Sequence, residues 1–168
     1  MKVYKGRLNN MFNFFHKEKF KIASPVDGKL KSITSVVDEM FSSKMLGDGF
    51  AIEPKHGMVY SPIDGKVSMI SPTLHAIGLK ANNGVEILIH IGVDTVKLEG
   101  QGFETFVKEG QKVKIGDKLI KFDIEEIKKK VPSTDIMVIF TSGETCNIID
   151  SDIQVDAGQA NIVTLLPQ

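Results

Sequence analysis

Val85-Glu86-Ile87-Leu88-Ile89-His90-Ile91-Gly92-Val93-Asp94 alternates strictly. Val85, Ile87, Ile89, Ile91 and Val93 share one parity, and Glu86, Leu88, His90, Gly92 and Asp94 share the other. Successive residues of a strand face opposite sides. The spacing therefore predicts a strand whose odd residues face a core. His90 falls on the other face, beside a glycine that cannot cover it and four residues from the Asp94 carboxylate. A strand would present an imidazole for chemistry in this way.

The rest of the chain agrees with a β reading. Ser24-Pro25-Val26-Asp27-Gly28-Lys29-Leu30 returns as Ser61-Pro62-Ile63-Asp64-Gly65-Lys66-Val67, with five of seven positions identical. Each copy reads as a turn followed by a strand, because proline presets φ and Asp-Gly tolerates a tight reversal. A third related piece runs from Val107 to Leu119, with two glycine turns and alternating apolar residues. Short strands punctuated by turns dominate from Lys21 to Ile91, and Val138 to Phe140 and Ile162 to Leu166 read the same way. This is an all-β pattern, an antiparallel sandwich or barrel with an internal duplication and short helical segments. Ile124, Ile127 and Val131 are spaced for a helix over 124–131, ended by Pro132. Asp38 to Met45 reads as a turn of helix before Gly47-Asp48-Gly49, itself a backbone turn.

Composition bounds the function. A chain of 168 residues can bury a core as one domain, here residues 21–168 behind a leader over 1–20. Twenty-one basic residues balance twenty-one acidic ones, which gives no electrostatic case for nucleic acid or an anionic membrane. The single cysteine, Cys146, excludes an internal disulfide and fits a reducing compartment. No apolar run approaches the roughly 20 residues that span a bilayer. Met11-Phe12-Asn13-Phe14-Phe15 is too short for a signal-peptide core. It leaves open an unstructured leader, a weak interfacial anchor or a start at Met11.

A neutral imidazole is a nucleophile near pH 7, and histidine forms covalent phosphoryl intermediates. Phosphoryl transfer asks mainly for positioning and charge stabilisation. A second imidazole could donate to the phosphoryl oxygens, and His75, fifteen residues upstream, suits that role. Ala81-Asn82-Asn83-Gly84 would join the two strands as a hairpin. Thr73 lies on the His75 face if the segment is extended, where its hydroxyl could fix the ring. Two histidines with Asp94 or Glu86 also suit a metal, without any compact metal motif. His16 and His56 read as solvent-facing. Cys146 has no paired base and reads as passive.

The run from Gly84 to Asp123, GVEILIHIGVDTVKLEGQGFETFVKEGQKVKIGDKLIKFD, resembles the signature region of the glucose-type enzyme IIA (EIIA type-1) of the bacterial sugar phosphotransferase system. KMLGDGFAI and SPTLHAIGLK resemble two further blocks in the same order, and SPVDGKL and SPIDGKV match the family's turns. The resemblance covers roughly residues 20 to 167 and implies a duplicated β-sandwich, the duplicated hybrid motif. It implies a cytoplasmic phosphoryl carrier, peripheral at most to the inner face of the membrane. Such a carrier accepts phosphoryl from the histidine phosphocarrier protein and passes it to the cysteine of a sugar-specific enzyme IIB beside a membrane IIC. The phosphorylated histidine falls on His90, its companion on His75 and the orienting threonine on Thr73. Partner-facing carboxylates fall on Asp38 and Asp94, and an apolar docking rim on Phe41, Leu88 and Val96. No cofactor is required. The resemblance permits zinc at His75 and His90 with a partner's carboxylate, a monomer, and proteins regulated by the phosphorylation state. The chain departs from some members in carrying Ile77, Gly78 and Leu88 where they carry phenylalanine. A zinc hydrolase of related fold would need a His-x-His pair, but the run reads His90-Ile91-Gly92. A biotinyl- or lipoyl-carrier would need a target lysine in a hairpin, absent around Ile120-Lys121-Phe122-Asp123.

Overall fold

The computed structural model describes residues 20–166. The expected leader, with Met11 to Phe15 and His16, lies outside the described residues except for Phe20. The strands are β1 (Gly28–Ser32), β2 (Gly49–Pro54), β3 (Met58–Tyr60), β4 (Gly65–Ile70), β5 (Ala76–Ala81), β6 (Glu86–Val93) and β7 (Phe103–Thr105). They continue as β8 (Lys112–Val113), β9 (Lys118–Phe122), β10 (Ser133–Phe140), β11 (Thr145–Ile148), β12 (Gln154–Val155) and β13 (Val163–Leu166). Two one-turn helices are α1 (Glu39–Ser42) and α2 (Ile124–Ile127).

One antiparallel sheet of eight strands runs β12-β1-β2-β10-β6-β5-β4-β8. The smaller sheets β3-β9-β7 and β11-β13 form the second layer. Leu30, Ile52, Leu79, Ile87, Ile89, Ile91 and Val138 from the large sheet meet Val59, Leu119, Ile120 and Phe122 from the small one, all within 2% of complete burial. Each such side chain stabilises the fold by about 1.5–3 kcal/mol relative to exposure. The all-β sandwich read from the sequence is the fold observed.

The strand order is a palindrome of the duplication. β1 pairs with β2 on one flank and β12 on the other, as β4 pairs with β5 and β8. The paired turns obey the same rule. Ser24 Oγ donates to Val26 O at 2.6 Å, and Ser61 Oγ to Ile63 O at 2.7 Å. Ala23 N–H donates to Pro62 O, and Tyr60 N–H returns the bond to Pro25 O. Gly158 N–H caps Ser24 O as Gly116 N–H caps Ser61 O. The third piece, around Lys112 to Asp117, thus has its own twin in Gln154 to Gln159. The Asp27 carboxyl accepts from Ala157 N–H at 2.6 Å and from His56 Nε2 at 2.5 Å. The Ala157 N–H first, then His56, hold Asp27 below its ordinary value. His56, read as solvent-facing, is half exposed and closes this turn.

Two expectations need correction. α2 stops at Ile127 instead of Val131, because Lys128 to Lys130 wind into tight turns, with Lys130 N–H on Ile127 O. Val93 does not join the main core with Ile91. Gly92 takes φ +73°, and β10 shifts register between Ser133 and Ile136 opposite it. This bulge reverses the facing of the next residue. Val93 enters a second cluster with Ile33, Val36, Phe41, Ala51, Met137 and Ile139. That cluster sits on the outer face of the large sheet, roofed by residues 33–41.

Candidate functional site

His90 lies on the outer face of β6, in register with Ala76 of β5 and Met137 of β10. Its alternation with Ile89 and Ile91 sends the imidazole outward while those neighbours anchor the strand. Immediately before β5, His75 gives its carbonyl to Ile91 N–H at 2.8 Å, which ties the two histidines together through the backbone. Their ring centroids are 4.9 Å apart and nearly perpendicular at 75°. The hairpin expected through Asn82-Asn83-Gly84 is the one observed.

Hydrogen bonds fix the chemistry of His90. Its Nδ1 lies 2.9 Å from Gly92 O. A carbonyl only accepts, so Nδ1 carries the proton and Nε2 the lone pair. Gly92 can turn its carbonyl back because glycine adopts positive φ freely. Thr95, fully buried, secures this bend by donating from Oγ1 to Ile91 O at 2.5 Å. Burial first, then the neighbouring His75, pushes the His90 imidazolium down to about pKa 4, against opposing pulls from the Gly92 carbonyl and Asp38. Burial also lowers His75. Both rings are therefore neutral near pH 7. Among the described residues no buried side-chain nitrogen or oxygen lacks a hydrogen-bond partner. Neither Nε2 has a hydrogen-bond partner among the described residues, and neither is sealed from solvent by them.

Thr73 Oγ1 is 2.6 Å from His75 Nδ1, with Ser71 Oγ at 3.3 Å from the same nitrogen. The contact arises from a turn and not from an extended segment. Leu74 takes φ +59°, and its N–H donates to Ser71 O. Ser71 is a second partner of His75 that the sequence did not single out. Its hydroxyl also accepts from Ala76 N–H at 3.1 Å.

The surrounding face differs from expectation in detail. Phe41 is no exposed rim residue: it is 4% exposed and packs against the His90 ring, with centroids 4.9 Å apart. It is buried because the roof cluster encloses it. Leu88 is half-buried and joins that cluster's edge. Val96 is exposed, as expected. The exposed apolar side chains on the neighbouring elements, Val37, Met40, Met45 and Leu46 in and around α1 and Met69 of β4, are not aromatic. Asp38 caps α1, accepting from Met40 N–H at 2.8 Å, and its charge reaches His90. Asp94 does not continue the strand. It enters a left-handed conformation at φ +61° and pairs with Lys97 at 3.2 Å. A cleft of about 610 Å³ lies elsewhere, lined by Lys66, Ser68, Lys80 and Glu109.

His75 and His90 offer two nitrogen ligands. Among the described residues no group of three histidine, cysteine or carboxylate side chains gathers. A tetrahedral zinc would need ligands beyond this pair. Cys146 is buried, and burial first, then Asp48, pushes its thiol up to about 12, so it stays protonated. Among the described residues no helix is long and apolar enough to cross a membrane.

Residues 20–146 match the family model of the phosphoenolpyruvate-dependent sugar phosphotransferase system, EIIA 1. A glucose-specific EIIA component of Bacillus anthracis is 48% identical over 136 residues, covering 81% of this chain and 82% of that protein. Its counterpart in Mycoplasma capricolum is 44% identical over 155 residues, covering 91% and 98%. The solved structure of glucose permease IIA from Mycoplasma capricolum superposes with a TM-score of 0.76 at 42% identity, covering 86% of this chain and 93% of that one.

Proposed function

The chain belongs to the EIIA 1 family of the phosphoenolpyruvate-dependent sugar phosphotransferase system, and from that premise we propose that His90 Nε2 is the atom that carries the phosphoryl group. The protein is a phosphotransferase component, a phosphoryl carrier in sugar uptake. Its partners are therefore a phosphocarrier protein upstream and sugar-specific IIB and IIC components downstream.

One observation carries the assignment of the atom. The Nδ1–H donated to Gly92 O at 2.9 Å leaves a neutral ring with its lone pair on Nε2. In the proposed step that lone pair forms the N–P bond as phosphorus leaves the donor's histidine nitrogen, which recovers its own pair. The substituted ring gains positive character at Nδ1–H, and the Gly92 carbonyl receives that proton's bond more strongly. With the Thr73 hydroxyl donating to His75 Nδ1, the tautomer this step needs, His75 Nε2–H would donate to a phosphoryl oxygen. Transfer onward reverses the geometry: the thiolate of the IIB cysteine takes the phosphorus, and His90 Nε2 regains its lone pair. Asp38 and Asp94, both at the border of this face, suit cationic side chains on the incoming partners, which would offset phosphoryl charge.

The apolar border supports brief docking, which a carrier alternating between two partners requires. The relatives are named glucose-specific, and glucose is the sugar we propose for the system served here. The transfer requires no cofactor, and zinc would bind only with ligands from a partner. We place the chain as a monomer at the cytoplasmic side, where the phosphoryl donors are. The same face would serve any regulated protein, since phosphorylation changes its charge.

Purified chain incubated with phosphoenolpyruvate, enzyme I and the phosphocarrier protein should gain one acid-labile phosphoryl by intact mass. His90→Gln should abolish the gain. His75→Gln should gain it but pass it on slowly. Full labelling of the His90→Gln chain would overturn the assignment.

A further inference from the structure

Sulfur is distributed unevenly over this fold. Six sulfur side chains lie among the described residues: Met40, Met45, Met58, Met69, Met137 and Cys146. Met137 is fully buried, Met58 is half-buried on the small sheet, and Cys146 is enclosed as a protonated thiol. A buried neutral thiol is a poor target for oxidants. Met40, Met45 and Met69 are 49%, 75% and 40% exposed.

These three border the face of His90. Met40 sits between Asp38, whose charge reaches His90, and Phe41, whose ring packs on it. Met45 lies beyond α1, two residues before Gly47, where an added Cβ would fall 3.2 Å from Ile139 Cγ2, and Ile139 is in register with Leu88. Met69 lies in the bulge of β4, in register with Gly78, which is in register with Leu88. A Cβ added at Gly78 would fall 2.8 Å from Met69 Cγ, so the thioether lies across the space that glycine leaves open. Thioethers suit a face that meets two partners in turn, because they are unbranched and polarisable. The same property makes them oxidisable.

We propose that Met40, Met45 and Met69 are oxidation sites through which a hydroperoxide weakens docking at the His90 face, an inference that rests on the carrier reading above. A sulfur lone pair attacks one peroxide oxygen. The O–O bond breaks, that oxygen stays as the sulfoxide, and the other takes up the transferred proton and leaves as water from hydrogen peroxide or as an alcohol from an organic hydroperoxide. Sulfur is oxidised by two electrons and the peroxide is reduced by two. The sulfoxide is a polar acceptor that holds water, so it opposes burial against an apolar partner surface. The lesion is reversible by thiol-dependent sulfoxide reductases. His90 chemistry is untouched, so the effect falls on encounter with the partner.

The test treats the full chain with hydrogen peroxide, maps sulfoxides by peptide mass, and measures phosphoryl transfer from the phosphocarrier protein. We expect sulfoxide at the three exposed positions before Met137. KM for the phosphocarrier should rise about tenfold, the worth of losing roughly one large apolar contact, with little change in kcat. The Met40→Leu/Met45→Leu/Met69→Leu chain, whatever its untreated rate, should show no further change on treatment. Equal KM before and after full oxidation of the wild type would overturn the inference alone, as would an equal peroxide effect in the leucine chain. If the untreated wild type takes up no phosphoryl, the carrier reading falls and takes this inference with it.

Discussion

Lowering the pH from 7 to 4 should cost this protein stability through His90 in particular. The imidazole falls from the ordinary 6.5 to about 4 in the folded chain, by burial first and then by His75. At about 1.36 kcal/mol for each tenfold change in proton affinity, that difference corresponds to about 3 kcal/mol. The sign follows from proton uptake. Between pH 6.5 and about 4 the unfolded chain binds a proton at this residue and the folded chain does not. Acid therefore favours unfolding across that window. Above 6.5 the contribution is fully present, and below about 4 it is gone. Urea unfolding at a series of pH values should show the wild type losing about 3 kcal/mol more than His90→Gln between pH 7 and 4. NMR titration of the ring nitrogens should place the protonation well below 6. Parallel losses in both proteins, or titration of His90 near 6.5, would refute the claim that its fold keeps this ring neutral.

Replacing His75 with glutamine should slow onward phosphoryl transfer by about 10²–10³-fold, the usual cost of one lost donor to developing charge. Rapid-quench kinetics with the IIB partner would measure it, and an unchanged rate would remove His75 from the transfer. Gly92→Ala places a Cβ 2.5 Å from Thr95 Cγ2 at a backbone φ of +73°. It should lower stability by about 1–2 kcal/mol, and nitrogen chemical shifts should show His90 losing its preference for Nδ1–H. Lys31 Nζ meets the buried Asp135 carboxylate at 2.7 Å. Removing only the cation, as Lys31→Met, leaves that carboxylate unpaired and should cost about 3 kcal/mol in denaturant unfolding. A cost near zero would show that the pair is solvated. Cys146, held near 12, should resist alkylation in the folded chain at pH 8 and react on unfolding.

The parts of the fold legible in the sequence were those set by local alternation and local turns. Val85 to Ile91 alternates because one face of β6 is core, and Ser-Pro-x-Asp-Gly repeats because both turns close in the same way. Residues whose facing depends on a distant strand were not legible. Val93 has the parity of Ile91, yet the bulge in β10 and the positive φ of Gly92 send it to the opposite cluster. The resemblance puts Phe41 on an apolar docking rim, but residues 33–41 fold back as a roof, a tertiary event with no periodic signature. Thr73 reached His75 by a turn that an extended reading could not supply. Gly92 holds a further signal: beside a histidine, its freedom of φ lets a main-chain carbonyl select the ring tautomer.

The palindromic strand order means that the large sheet contains two equivalent seats and that only one is occupied by chemistry. The register pair Ala76 and His90 corresponds, across the pseudo-twofold, to Gly49 and Ile139. Ile139 is fully buried beneath the roof segment, whereas His90 is left partly open beyond its edge. Phe41, at that edge, seals the silent seat and leans on the working one at the same time. The duplication has therefore been spent unevenly, one half becoming the covered floor against which the other holds its histidine still.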